Sequence, residues 1–161
     1  MKKNLLAISD LSRNDIIDIF KKAAQIKKDP FSGRNTLKDK VIGLIFQKPS
    51  NRTRVSFEVG TLQLGGHSVY LGPDDIKFGE RESINDIARV LSRYLELIVL
   101  RTFKHRDILE FAKYAEIPVI NGLSELVHPC QALADVFTMK EKLEDIKGKT
   151  LCFVGDGNNV L

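Results

Sequence analysis

Short apolar runs alternate with stretches of helical spacing along most of this chain of 161 residues. The runs cover residues 41–46, 67–71, 95–100 and 118–120, with a last one at 148–155 that ends in glycine. They are eight residues long or fewer and read as continuous rather than alternating runs, despite polar residues such as His67, Ser68 and Glu96, as expected of strands buried on both faces of a parallel sheet. Between them apolar residues recur three or four apart. Leu5, Leu11, Ile16, Ile17, Phe20, Ala23, Ala24 and Ile26 predict helix over 4–27, where Asp10 and Ser12 allow one helix or two. Val55, Val59, Leu62 and Leu64 predict a helix over 52–64 that Gly65-Gly66 stops. Ser83 caps a helix with Ile84, Ile87, Ala88 and Leu91 on one face. A short helix follows at 107–114, and His128-Pro129 opens another that runs to about residue 143. Strands alternating with helices at this spacing predict an α/β fold, a parallel sheet flanked by helices on both faces. Ligands of such sheets bind beyond the carboxyl ends of the strands. The loops after Phe46, Leu71, Leu100, Ile120 and Val154 are therefore the places to look for a site.

Composition narrows the class without changing that picture. Apolar residues make up 43% and charged residues 29%, ordinary globular usage that argues against disordered or fibrous chains. The apolar runs are far shorter than the ~20 residues a membrane helix needs, and Asp10 interrupts any signal-like start. Cys130 and Cys152 are too few for a disulfide framework, which points to a reducing, cytoplasmic compartment. The net charge of +4 arises at the start of the chain, where residues 1–40 hold ten Lys or Arg against five Asp. Acids are interspersed there, Trp is absent and Tyr scarce, so the footprint of a nucleic-acid partner is missing.

Four constellations carry chemistry. Lys48-Pro49-Ser50-Asn51-Arg52-Thr53-Arg54 follows a strand and opens a helix, where free N–H groups and the positive end of the dipole suit a phosphate. Ser50 and Thr53 add hydroxyls, Asn51 an amide, and Arg52 a planar fork for two phosphate oxygens. An ordinary cap explains Ser50 but not arginines at the positive end of a helix, while Arg54 and Glu58 can simply pair along its surface. His128-Pro129-Cys130-Gln131 lies at a second strand-to-helix junction. A neutral His donates one hydrogen bond, and Gln131 both donates and accepts; the plainer alternative is a capping His and a solvated Gln. Cys130 reads as a small buried side chain rather than a nucleophile. Arg101 stands just after the strand at 95–100, on the ligand side of the sheet, the plainer alternative being an ordinary surface arginine. Gly155-Asp156-Gly157-Asn158-Asn159 follows a strand but lacks the third glycine of a dinucleotide fingerprint. No His, Cys or acidic spacing resembles a metal cage.

Taken in order, Ser50–Glu58, Arg101, His128–Asp135 and Gly155–Asn159 make the chain resemble the transcarbamylase family over essentially its whole length. Cys130 and the Gly-Asp-Gly-Asn-Asn run resemble its ornithine-using branch rather than the branch that uses aspartate. The resemblance implies transfer of the carbamoyl group from carbamoyl phosphate to the δ-amine of L-ornithine, giving L-citrulline and phosphate. It assigns carbamoyl phosphate to Ser50, Asn51, Arg52, Thr53, Lys77, Arg101, His128, Pro129, Cys130 and Gln131, and ornithine to Asn158 and Asn159. Within that set Ser50, Asn51, Arg52 and Thr53 take the phosphate with Arg101. His128, helped by Thr53 and Arg101, polarises the carbonyl oxygen, and Gln131 holds the carbamoyl NH2. Neither metal, cofactor nor covalent intermediate is implied. Lys77 lies in a loop that in the family reaches the neighbouring subunit's site within a homotrimer. Two positions depart from the family: Asn51 replaces the usual Thr, and Lys77 stands where ornithine enzymes often have Gln. Family chains are about twice as long, so residues 1–147 are expected to form the carbamoyl phosphate domain. Residues 148–161 would begin a truncated second α/β domain, making this chain a fragment, inactive alone. The alternatives are a phosphate-binding module without turnover, a transcarbamylase for another amine such as aspartate or putrescine, and a structural or interaction role.

Overall fold

The computed structural model describes residues 3–80, 82–143 and 145–155. Four of the apolar runs become strands: β1 (Val41–Phe46), β2 (His67–Leu71), β3 (Leu97–Arg101) and β4 (Val119–Leu123). They form one all-parallel sheet in the order β2-β1-β3-β4. The helices are α1 (Arg13–Lys28), α2 (Asn51–Gln63), α3 (Ile84–Leu91), α4 (His105–Tyr114) and α5 (Pro129–Leu143).

The expectation of burial on both faces holds for the central strands β1 and β3, whereas the edge strand β2 leaves His67 and Val69 exposed. Ile45, Ile98, Leu100 and Val119 pack on one side against Ile87 and Ala88 of α3 and Ile108 and Phe111 of α4. Ile42, Leu44, Phe46 and Val99 pack on the other, with Phe57 of α2 and Tyr70 against them. Leu44, Ile45, Ile98, Val99 and Leu100 are wholly removed from solvent. At about 1.5–3 kcal/mol for each such side chain, these central strands supply the main drive to fold. The free edge of β4 is covered by the N-terminal segment, whose Leu5 donates its N–H to the Val119 carbonyl at 2.9 Å and accepts from Asn121 N–H at 2.8 Å. α1 packs through Phe20 on Phe137 of α5, their ring centroids 5.4 Å apart.

The first helical stretch resolves into two pieces, a 3₁₀ turn at Ile8–Asp10 and then α1. Ser12 caps α1 reciprocally: its hydroxyl accepts from Asp15 N–H, and the Asp15 carboxylate accepts from Ser12 N–H at 2.8 Å. After α2 the chain must reverse at once into β2. Gly65 does so with φ of 87°, and a Cβ there would collide with the Arg34 carbonyl oxygen.

One expectation needs correction. Residues 148–155 form no strand. No neighbouring strand pairs with them among the described residues, and Leu151 and Val154 stand open to solvent, so nothing rewards an extended ladder. The helix predicted from Val55, Val59 and Leu62 is present as α2, with these side chains turned away from the sheet, 53%, 44% and 68% exposed. Phe57 and Thr61 occupy the inner side of α2 instead.

Candidate active site

β1 and β3 are neighbours, yet β1 connects onward to β2 on one side and β3 to β4 on the other. That divergence opens a crevice at the carboxyl ends of the strands. A cleft of about 1020 Å³ lies there, lined by Ser50, Arg52 and Thr53 from the start of α2, Arg101 from the end of β3, and His128, Cys130 and Gln131 from the start of α5. Leu151 and Phe153 border it from the segment after α5. Three stretches separated by about fifty and thirty residues thus meet at one place, because each directly follows, or ends, a parallel strand.

The start of α2 is built without its own counter-charge. Ser50 is the N-cap, in extended conformation, but its hydroxyl makes no capping bond, and the first turn holds no acid. The simple capping reading of Ser50 therefore fails, and its hydroxyl and the unpaired N–H groups of the first turn remain available to an anion. Arg52 and Arg54 part company. Arg54 donates through Nε to the Glu58 carboxylate at 2.9 Å and stacks over the Tyr70 ring at 3.5 Å from its centroid. Glu58, its foremost partner, raises the pKa of Arg54. The internal pair satisfies Arg54, so only Arg52 of the two faces the cleft.

Arg101 and His128 are the informative side chains. The Nε of Arg101 and the Nδ1 of His128 are buried and have no hydrogen-bond partner among the described residues. Orphaned polar atoms of this kind cost about 1–3 kcal/mol each unless a ligand meets them. Burial lowers the pKa of both, and for His128 the Arg101 charge lowers it further. His128 is therefore neutral at neutral pH, able to donate one N–H to a carbonyl oxygen without adding a full charge. Its main-chain carbonyl accepts from Ala132 N–H at 3.1 Å, but its ring does not act as a cap. The Cys130 thiol donates to the Asn121 carbonyl at 3.6 Å, and burial pushes its pKa up to about 11. It is a neutral packing group and no thiolate nucleophile.

The turn that delivers His128 is held by polar groups that carry no motif in the sequence. Asn121 is fully buried; its amide donates to the carbonyls of Leu6 at 2.9 Å and Val127 at 3.3 Å, and its Oδ1 accepts from Leu123 N–H at 2.9 Å. Ser124, also fully buried, accepts from the N–H groups of Leu126 and Val127 and meets His105 Nδ1 at 2.9 Å. Leu123, on the cleft wall, has φ of 154°, a conformation this network holds in place. The available signal was Asn121-Gly122 inside an apolar strand, a polar residue that a buried position tolerates only when bonded.

Other expected residues lie elsewhere. Asn51 is the exposed first residue of α2 and does not line the cleft. Pro129 is fully buried in the first turn of α5, behind the lining. Lys77 is not brought to the cleft in the single chain; it borders a separate pocket and pairs with Glu80 at 3.8 Å. Asn158 and Asn159 fall outside the described residues. Among the described residues no three His, Cys, Asp or Glu side chains are grouped to hold a metal ion, and no helix is long and apolar enough to cross a membrane.

Comparison with known proteins gives the family. Residues 3–141 match the family described as aspartate/ornithine carbamoyltransferase, carbamoyl-P binding domain. An ornithine carbamoyltransferase of Archaeoglobus fulgidus is 49% identical over 160 residues, covering 98% of this chain and 52% of the relative. The solved ornithine carbamoyltransferase of Pyrococcus furiosus superposes with a TM-score of 0.92 at 48% identity, covering 98% of this chain and 51% of that one. That of Thermus thermophilus gives 0.91 at 42% identity, covering 99% and 55%. The chain spans about half the length of the curated relatives it matches.

Proposed function

The chain belongs to the aspartate/ornithine carbamoyltransferase family through its carbamoyl phosphate-binding domain, and from that premise we propose that its cleft seats carbamoyl phosphate for transfer of the carbamoyl group to the δ-amine of L-ornithine. L-Citrulline and phosphate are the products. The observation that carries this reading is the convergence of unsatisfied donors on one crevice: the Ser50 hydroxyl and the start of α2, the Arg101 guanidinium, and the ring of His128.

The phosphate sits at the start of α2, where N–H groups, the Ser50 and Thr53 hydroxyls and the Arg52 fork meet its oxygens. Arg101 bridges from phosphate to the carbamoyl carbonyl, and neutral His128 donates to that carbonyl oxygen. Gln131 accepts from the carbamoyl NH2. The unprotonated δ-amine attacks the carbonyl carbon, negative charge grows on the oxygen facing Arg101, Thr53 and His128, and the carbon–oxygen bond to phosphate breaks as the amine's proton passes to the departing phosphate. Positioning and stabilisation of developing charge supply the rate, and no protein atom becomes covalently attached.

Residues 1–147 form the carbamoyl phosphate unit in this reading, with 148–161 entering the ornithine unit and Asn158 and Asn159 touching the amino acid. Lys77 serves an adjoining copy in a homotrimer, and the uncovered stripe of Val55, Val59 and Leu62 supports such an assembly. Two free thiols suit a cytoplasmic setting. Because these residues span about half of each relative, the 161 residues alone are expected to bind carbamoyl phosphate and to form little citrulline. Calorimetry with carbamoyl phosphate and with phosphate tests the binding, and citrulline formation by a chain extended to the relatives' length tests the transfer. Absence of heat with both ligands would refute the reading.

A further inference from the structure

We propose that Asp135 is a positioning residue that decides which end of the Gln131 side-chain amide meets the carbamoyl group. The inference rests on the carbamoyl phosphate reading above. Gln131 and Asp135 lie one turn apart on α5, and both line the cleft. The amide nitrogen of Gln131 donates to Asp135 Oδ1 at 2.8 Å. A carboxylate only accepts, so the NH2 end of the amide must face it, and the carbonyl oxygen of Gln131 is left for the ligand. The carbamoyl NH2 has only donors to offer, so that oxygen is the complementary end. Turned over, the same amide would set donors against donors.

Asp135 is otherwise out of place. It puts a negative charge in a cleft whose other charged groups, Arg52 and Arg101, draw an anion, and it opposes phosphate electrostatically. Glutamine and aspartate four apart on a helix also stabilise a plain helix surface. That simpler role would leave ligand choice untouched, which makes the two separable. The phosphate donors come from α2 and β3, so the effect of Asp135 is confined to the carbamoyl end of the ligand.

The test compares carbamoyl phosphate, acetyl phosphate (a methyl group in place of NH2) and inorganic phosphate by calorimetry on the purified protein. The unaltered protein is expected to prefer carbamoyl over acetyl phosphate by about three- to tenfold, the worth of one hydrogen bond. Asp135→Asn, whose side chain donates as well as accepts, frees the amide to turn. It should bring that ratio to within about twofold while phosphate binds at least as tightly as before. Asp135→Glu, which keeps an acceptor, should retain most of the ratio. In a Gln131→Ala background, Asp135→Asn should change the ratio no further. An Asp135→Asn protein that keeps the full preference and only melts earlier would overturn the inference. An unaltered protein that binds phosphate but shows no preference would overturn the carbamoyl assignment of Gln131 itself, and one that binds none of the three would overturn the reading of the cleft.

Discussion

Arg52 and Arg54 stand two residues apart at the start of one helix, yet one faces the cleft and the other is consumed by its own protein. Replacing Arg52 by Ala should weaken phosphate binding by about 1.5–3 kcal/mol, the range for hydrogen bonds to a charged group, or roughly tenfold to a hundredfold. Arg54→Ala should leave affinity nearly unchanged and instead lower stability, since it removes the Glu58 pair and the stack on Tyr70. Calorimetry and urea unfolding on both variants distinguish the two roles. His128 carries a second prediction. Its pKa in the folded chain lies below the ordinary value of about 6.5. Below that pH the unfolded chain takes up a proton that the folded chain resists, so stability falls as pH drops from about 6.5 toward the folded pKa. Thermal melts between about pH 7.5 and about pH 5.5 should show this loss, and His128→Gln should flatten it.

At the level of elements, the site depends on how each strand hands over to its succeeding turn. β1 ends in a turn that starts α2, and Gln47 N–H donates to the Arg101 carbonyl at 2.8 Å, tying that turn to the end of β3. Thr102 N–H donates to the Leu123 carbonyl at 3.1 Å, tying β3 to β4 at the register shift beside Arg101. The turn from β4 to α5 hangs on Asn121, which binds the N-terminal segment, Leu123 and Val127 together. Asn121→Ala leaves two carbonyls and one N–H without that partner and should cost roughly 2–4 kcal/mol in urea unfolding. Because the same turn delivers His128, carbamoyl phosphate affinity should fall beyond what stability alone explains. An Asn121→Ala protein of unchanged stability would remove this network from the account of the site.

On the scale of the whole molecule, the central strands β1 and β3 are covered on both faces while the outer side of α2 is not. Val55, Val59 and Leu62 form an apolar stripe on the helix that also carries Arg52, so assembly through it and the cleft share one element. If the proposed homotrimer assembles through this stripe, Leu62→Glu, at the most exposed of these three positions, should shift sedimentation toward monomer while leaving the melting temperature of the monomer within a few degrees. A sedimentation profile identical to that of the unaltered protein would remove the stripe from the proposed assembly.

The local pattern was sufficient for the four strands of the sheet, for the helices between them and for several of the residues that border the cleft. Apolar runs separated by helices found parallel neighbours at 41–46, 67–71, 95–100 and 118–120, and a helix that starts with Ser50 and Arg52 after such a strand brings both to the cleft by its position. Arg101 was legible for the same reason, being the first polar residue past an apolar run. Periodicity could not say which side of α2 faces inward, because a stripe covered by the sheet and a stripe covered by another copy have the same spacing. Nor could it separate Arg54 from Arg52, since a partner four residues on and a ligand in a cleft make the same demand on charge. The run at 148–155 looked like a strand because β-propensity describes a residue's fitness for a sheet, whereas a ladder needs a neighbour that no described segment provides. The hold of Asn121 on the last turn and of Asp135 on Gln131 belongs to tertiary structure alone: a hydrogen bond is decided by distance and direction, and those exist only once the chain has folded.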